Sequence, residues 1–297
     1  MKVFINCEPT IPADNFGKYD LFLTSALVEG AEPQFFQDIL WHMPAHNWVE
    51  TKKRDEHKPI KDREIDILYR SSKCEKRRDR IADEISKQAK ENGLRFVSSG
   101  NCQASHSEPI YSSTKDWETC DLCENSKMIL ALERFKNNSI PYLSEKPALA
   151  FATGAIPVYH GTGTSLLEDV QGVDPTSYLN ISSFSNVEAA KHVVDLAKNT
   201  RKLQEMQQTP TFLSPTSRQD NINKVRELTC KEDYIKNNNI TVDLGYRLIN
   251  PSALPVLEEL LCIDDKNVNY TYNKPSSDII IEGFHPVRAN KRRPKWL

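Results

Sequence analysis

The stretch that most constrains this chain runs from Met128 to His160, where an apolar strand, a polar loop, a helix and a second strand follow one another. Met128, Ile129, Leu130, Ala131 and Leu132 form an unbroken apolar run, as expected of a strand buried on both faces of a parallel sheet. Glu133 and Arg134 stand at its carboxyl end. Open parallel sheets bind ligands outside that end, so a carboxylate and a guanidinium there are site candidates. Ser144 is the expected N-cap of the next helix, and Pro147 fits its first turn, where the missing N–H costs little. Ala148, Leu149, Phe151 and Ala152 carry the helix to Gly154. Residues 155–159 form the next strand, and a loop with Gly161 and Gly163 follows. Lys146 beside the helix start makes a ready anion site.

The same alternation extends to both sides. Residues 65–69 read as a strand, residues 71–78 as a turn, and Ile81, Ile85 and Ala89 as the apolar face of a helix ending at Gly93. Residues 94–97 return as a strand, which completes a βαβ unit with a cation-rich first turn. Among Arg77, Arg78 and Arg80, only Arg78 keeps the spacing to Ile81 and Ile85; the other two belong to a solvated face. Residues 100–116 are expected to be an irregular loop. A short helix begins at Ser165, a strand covers residues 178–181, and Ser185 with Glu188 forms a capping box for a helix carrying Val187, Ala190, Val194 and Ala197.

Towards the start, Val3, Phe4 and Ile5 read as a strand, with Cys7, Glu8 and Pro9 at its end, and residues 19–24 as another. Residues 34–44 look core-packed. Residues 51–63 are dense in charge, read as an exposed linker, and set the first domain boundary. Beyond a polar helical region at 202–236, a fresh pattern begins: a strand at 240–244, a helix at 252–261, and strands at 268–272 and 278–281.

Lys plus Arg number 39 against 41 for Asp plus Glu, a net charge of −2, which gives no electrostatic case for nucleic-acid or membrane partners. A basic cluster at residues 288–295 reads as a solvated tail. Seven scattered cysteines and the lack of a signal peptide or long apolar run lead to an expectation of reduced thiols and a cytoplasmic location. Cys120 and Cys123 resemble half a zinc site, without a second pair at ligand spacing. Sequons at Asn137, Asn180, Asn239 and Asn269 matter only for a secreted chain.

The central run resembles the signature of the α1,3-fucosyltransferases, glycosyltransferase family 10. That signature is a strand leading to Glu-Asn-Ser, then Tyr-(Val/Ile)-Thr-Glu-Lys, a helix, and Gly-(Thr/Ala)-(Ile/Val)-Pro-(Ile/Val). Glu133, Tyr142, Glu145, Lys146, Gly154, Ile156, Pro157 and Val158 match, while Arg134 and Phe135 replace Asn and Ser. The upstream βαβ unit is similar to the family's Ser-Asn segment, with its arginine at Arg78. Resemblance extends over about residues 65–205.

It implies an α/β, GT-B-like fold: two Rossmann-type domains with parallel sheets facing a cleft. It further implies inverting transfer of L-fucose from GDP-fucose to a hydroxyl of a glycan acceptor, as in protein glycosylation. Glu8 falls on the family's catalytic base, although taken alone it reads as a surface loop acid. Arg78 and Lys146 would clamp the donor diphosphate, and Glu133, Tyr142 and Glu145 would line the donor site. No Asp-x-Asp motif appears, so no bound metal or other cofactor is expected, with stimulation by divalent ions left open. Animal members sit anchored in the Golgi, which here would require an anchor outside these residues. The oligomeric state is left open. A transferase using another GDP-sugar such as GDP-mannose, and a nucleotide-sugar-binding protein without catalysis, are the alternatives.

Family members place an equivalent of the 240–281 pattern before the strand that here begins at Val3. The expected arrangement is therefore a circular permutation. Residues 1–63 plus 237–297 would form the acceptor-side domain, and residues 64–236 the donor-binding domain with its linking helices.

Overall fold

The computed structural model describes residues 57–71, 73–110, 120–133, 142–164, 166–170 and 172–213, together with the backbone of strands at 2–6, 21–24, 34–36, 240–244 and 268–272. In chain order the strands are β1 (Lys2–Asn6), β2 (Leu21–Thr24), β3 (Gln34–Phe36), β4 (Ile65–Ser71), β5 (Phe96–Gly100), β6 (Glu108–Ile110), β7 (Ser126–Leu132), β8 (Ile156–His160), β9 (Leu179–Asn180), β10 (Ile240–Leu244) and β11 (Val268–Tyr272). The α-helices are α1 (Lys76–Glu91), α2 (Asp121–Glu124), α3 (Lys146–Ala152), α4 (Asn186–Ala197) and α5 (Thr200–Gln208).

Six strands form one sheet in the order β6-β5-β4-β7-β8-β9, every pairing parallel. Counted from β4, that is the 3-2-1-4-5-6 order of a doubly wound nucleotide-binding sheet. The apolar run at β7 works as its composition demands. Met128, Leu130 and Leu132 join the core formed with Ile81 and Ile85 of α1 and Val193 and Val194 of α4. Ile129 faces the other way, with Leu149 and Ala150 of α3. Each such fully buried aliphatic chain is worth roughly 1.5–3 kcal/mol. The capping box of α4 is present as expected: Ser185 Oγ and the Ser185 backbone N–H both bond to Glu188.

Two expectations are corrected here. Residues 108–110, placed in an irregular loop, form β6 and pair with β5. The charged stretch expected to be a linker is built into this unit at its end, with Ile60 and Arg63 buried. The reason is the Arg63 guanidinium, which donates from Nε to the Lys58 carbonyl (2.9 Å), from Nη1 to that of Ser126 (2.7 Å) and from Nη2 to that of Thr153 (2.8 Å). A charge pattern alone cannot tell a solvated arginine from one saturated by carbonyls. Burial lowers its pKa to about 10, against the opposing charge of Glu124. Gly154 ends α3 at φ +67°, where a Cβ would stand 2.9 Å from Arg63 Nη2 and 2.6 Å from His57 Cγ.

A second sheet has the order β11-β10-β1-β2-β3, again parallel throughout. Strands from the two ends of the chain are thus direct neighbours: Val3 pairs with Val242 and Ile5 with Leu244. Of residues 34–44, the part described is the edge strand β3. The helix expected at 252–261 and the strand at 278–281 lie outside the described residues. Among the described residues no helix is long and apolar enough to cross a membrane.

Replacing Arg63 by alanine takes their donor from the buried bonds to the Ser126 and Thr153 carbonyls, while the Lys58 carbonyl keeps the Gln207 amide. At about 1–3 kcal/mol for each group left unsatisfied, the six-stranded unit should lose about 2 kcal/mol or more. Urea unfolding monitored by circular dichroism measures this.

Candidate active site

In a sheet of this order the crevice lies outside the carboxyl ends of the two strands where winding reverses, here β4 and β7. Two connections leave from that point. One runs from Ser71 to α1 and the other from Glu133 to α3.

At the end of β7 the Glu133 side chain is 1% exposed. Its Oε1 accepts from both the backbone N–H (2.7 Å) and the hydroxyl (2.8 Å) of Ser144, eleven residues on. Its Oε2 stands 3.5 Å from Lys146 Nζ, which donates to Ser144 Oγ at 2.8 Å. Burial raises the Glu133 pKa, opposed first by the Lys146 charge and then by the Ser144 bonds. The Lys146 side chain stays 16% exposed, and Glu145 lies 4.0 Å from it with a third of its side chain exposed. Glu145, with helical backbone angles and no side-chain capping bond, occupies the N-cap position expected for Ser144. Ser144 bonds the Lys146 N–H only at 3.4 Å, because its hydroxyl is committed to Glu133.

At the end of β4, Arg78 is buried. Its Nη2 donates to Ser71 Oγ at 2.6 Å and closely to the Lys73 carbonyl, while Nε is buried without a partner among the described residues. The first turn of α1 is capped by Glu75, whose carboxylate accepts from the backbone N–H groups of Arg77 and Arg78. Arg77 is exposed, as expected, yet its charge reaches His160 at the end of β8. Burial first, and then Arg77, lowers the His160 pKa to about 4, so the imidazole is neutral at pH 7.

A disulfide joins Cys74, in the loop before α1, to Cys102, just after β5, with the Cα atoms 5.2 Å apart. A second joins Cys120 to Cys123. The expectation of reduced thiols is corrected for these four. For Cys74 and Cys102, neighbouring parallel strands bring the loops after β4 and β5 together, a proximity that sequence separation hides, whereas Cys120 and Cys123 are only three residues apart.

Tyr142 is buried, and its carbonyl accepts from Tyr159 Oη at 3.2 Å. The same phenolic oxygen accepts from the Gly163 N–H at 3.0 Å. A Cβ at Gly163 would lie 2.2 Å from the Tyr142 carbonyl oxygen, so the loop after β8 closes on Tyr142 only with glycine there. Of the expected site residues, the structure therefore gathers Glu133, Glu145 and Lys146 into one contact cluster, with Tyr142 on the same connection. Arg78 stands on the loop of the adjacent strand. Glu8 lies outside the described residues. Sequence reasoning passed over His160 and the pairing of Ser144 with Glu133; a polar residue ending an otherwise apolar β8 was the available signal for the first.

Residues 60–239, more than half of the chain, match the family model for glycosyltransferase family 10 (fucosyltransferase), C-terminal region. The chain belongs to glycosyltransferase family 10. This family 10 chain has 12% identity to TarM, whose crystal structure covers 71% of it at a TM-score of 0.42. It spans 41% of the TarM chain. AviGT4, a glycosyltransferase involved in avilamycin A biosynthesis, shares 14% identity, with 70% of this chain and 73% of its own covered and a TM-score of 0.35. No curated protein matches.

The lowered His160 pKa gives a pH prediction. The unfolded imidazole protonates near pH 6.5 and the folded one only near 4, so stability is lost as pH falls through that window. Between pH 7 and pH 4.5 the loss from this group should be about 2–3 kcal/mol. His160→Gln should be less sensitive over the same interval by that amount, in urea titrations at the two pH values.

Proposed function

We propose that this chain is an inverting fucosyltransferase that moves L-fucose from GDP-fucose to a hydroxyl of a glycan acceptor. The observation that carries the reading is Lys146, a partly exposed ammonium on the first turn of α3, at the carboxyl edge where β4 and β7 meet. A helix start and a lysine there suit a diphosphate. Single displacement needs a base for the acceptor proton and cations for the departing GDP. In this reading Lys146 and Arg78 carry the diphosphate charge, and Glu145 and Tyr142 lie along the donor. Glu8 takes the proton from the acceptor hydroxyl as its oxygen bonds to the anomeric carbon and the bond to GDP breaks. Stabilisation by these cations requires no bound metal, and divalent ions remain stimulants at most.

The proposed architecture is GT-B-like. Residues 57–236 form the donor domain, since Ile60 and Arg63 are buried in it, and residues 1–56 plus 237–297 form a permuted acceptor-side domain. The parallel pairing of β1 with β10 supports the second assignment.

Lys146→Ala should weaken GDP binding about tenfold to hundredfold, the worth of a charge-assisted hydrogen bond of roughly 1.5–3 kcal/mol. Arg78→Ala should do the same. Calorimetric affinities equal to wild type would remove either residue from the site. Glu8→Gln should keep GDP affinity and slow transfer by about two to four orders of magnitude; unchanged turnover in a fucose-transfer assay places the base elsewhere. Deleting residues 238–297 should unfold the first domain, because it strips β10 and β11 from its sheet. Survival of wild-type protease resistance over residues 1–56 would rule out the permuted domain.

A further inference from the structure

The Glu133 carboxylate sits in the donor site without a surface through which to touch a donor. It is sealed from solvent, and both lone-pair directions of Oε1 are taken by Ser144. Among the described residues, Oε2 accepts no hydrogen bond and is balanced only by the ammonium of Lys146 at 3.5 Å. Ser144 Oγ links the two, donating to the carboxylate and accepting from Lys146 Nζ.

We propose that Glu133 is a positioning residue that holds Lys146 at the head of α3 until a nucleoside diphosphate takes the ammonium, and that Glu133 then binds a proton from solvent. This rests on the donor-site reading above. Two anions would compete for one cation, and they are not equivalent. The diphosphate stays partly hydrated, whereas the carboxylate is buried. A buried carboxylate whose counter-ion is drawn away is better neutralised than left charged. The transfer balances: one hydrogen ion leaves bulk solvent, Oε2 becomes O–H, and the positive charge of Lys146 passes to the diphosphate.

The groups around Glu133 among the described residues point the same way. From the start of α3 come Lys146 and Ser144, with the negative Glu145 pushing towards protonation. From β8 comes Tyr159, which burial and the Glu133 charge both hold as a phenol. From the following loop comes Gly161, where a Cβ would stand 2.8 Å from Glu133 Cγ, so no side chain there supplies a second cation. Burial already favours the protonated acid, and loss of Lys146 removes the largest opposing influence.

The test is calorimetric titration of the full chain with GDP at about pH 7.5, in two buffers of different ionisation enthalpy, which counts protons exchanged on binding. Wild type should take up more protons than Glu133→Gln, which keeps an acceptor for Ser144 but cannot titrate. Equal proton counts in the two overturn the proposal. Lys146→Met separates this from the broader reading. If it leaves GDP affinity unchanged, the donor site itself is misassigned and both readings fall. If it costs tenfold or more while wild type and Glu133→Gln exchange equal protons, only the role of Glu133 falls. Should Glu133→Gln not fold, carboxyl ¹³C spectra of glutamate-labelled wild type decide. One glutamate must protonate at higher pH with GDP than without, and the absence of any such signal overturns the proposal.

Discussion

The bond between Glu133 and Ser144 ties the end of a strand to the start of a helix. A helix of seven residues cannot hold itself together in water, since nucleation alone outweighs its few internal hydrogen bonds. α3 exists because something fixes each end. At its head the buried carboxylate takes the Ser144 N–H and hydroxyl, and at its foot the Arg63 guanidinium takes the Thr153 carbonyl. Opposite charges thus sit at opposite ends of a helix whose dipole favours that polarity. Between them, Leu149 and Ala150 meet one part of the apolar core while Ala148 and Phe151 meet another. The position of Lys146 follows from this clamp, and with it the geometry of the crevice.

The sheet supplies the second constraint. With β4, β7 and β8 parallel neighbours in turn, every connection leaving their carboxyl ends must start on one edge. The loop of Arg78, the Glu133 cluster and the His160 turn are consequences of that single topological fact, although they are separated in sequence by up to 82 residues between Arg78 and His160. Electrostatics within the edge is mixed. Lys146 has a carboxylate partner, whereas the neutral His160 adds no charge beside Arg77 at pH 7.

Much of this was legible in the chain itself, because the signals were local. The unbroken apolar run at 128–132 announces a strand covered on both faces, the mostly apolar 65–69 another strand, and Ser185 with Glu188 a helix start. The family motif located Lys146 and Glu145. What escaped was non-local. Nothing near Arg63 in sequence shows that its three acceptors arrive from residues 58, 126 and 153. Ser144 reads as a cap because the carboxylate that claims its hydroxyl is eleven residues away. β6 was missed because a three-residue edge strand, with a proline at its centre, carries no periodicity.

The Cys74–Cys102 bond fastens the loop carrying the Ser71–Arg78 contact to the end of β5, where Cys102 N–H also donates to the Ser71 carbonyl at 3.2 Å. Such bonds persist in oxidising surroundings and open where glutathione or thioredoxin is active. The redox state of the surroundings is therefore a structural variable of the donor edge. A preparation kept in strong reductant and one purified without it are two different molecules at this loop.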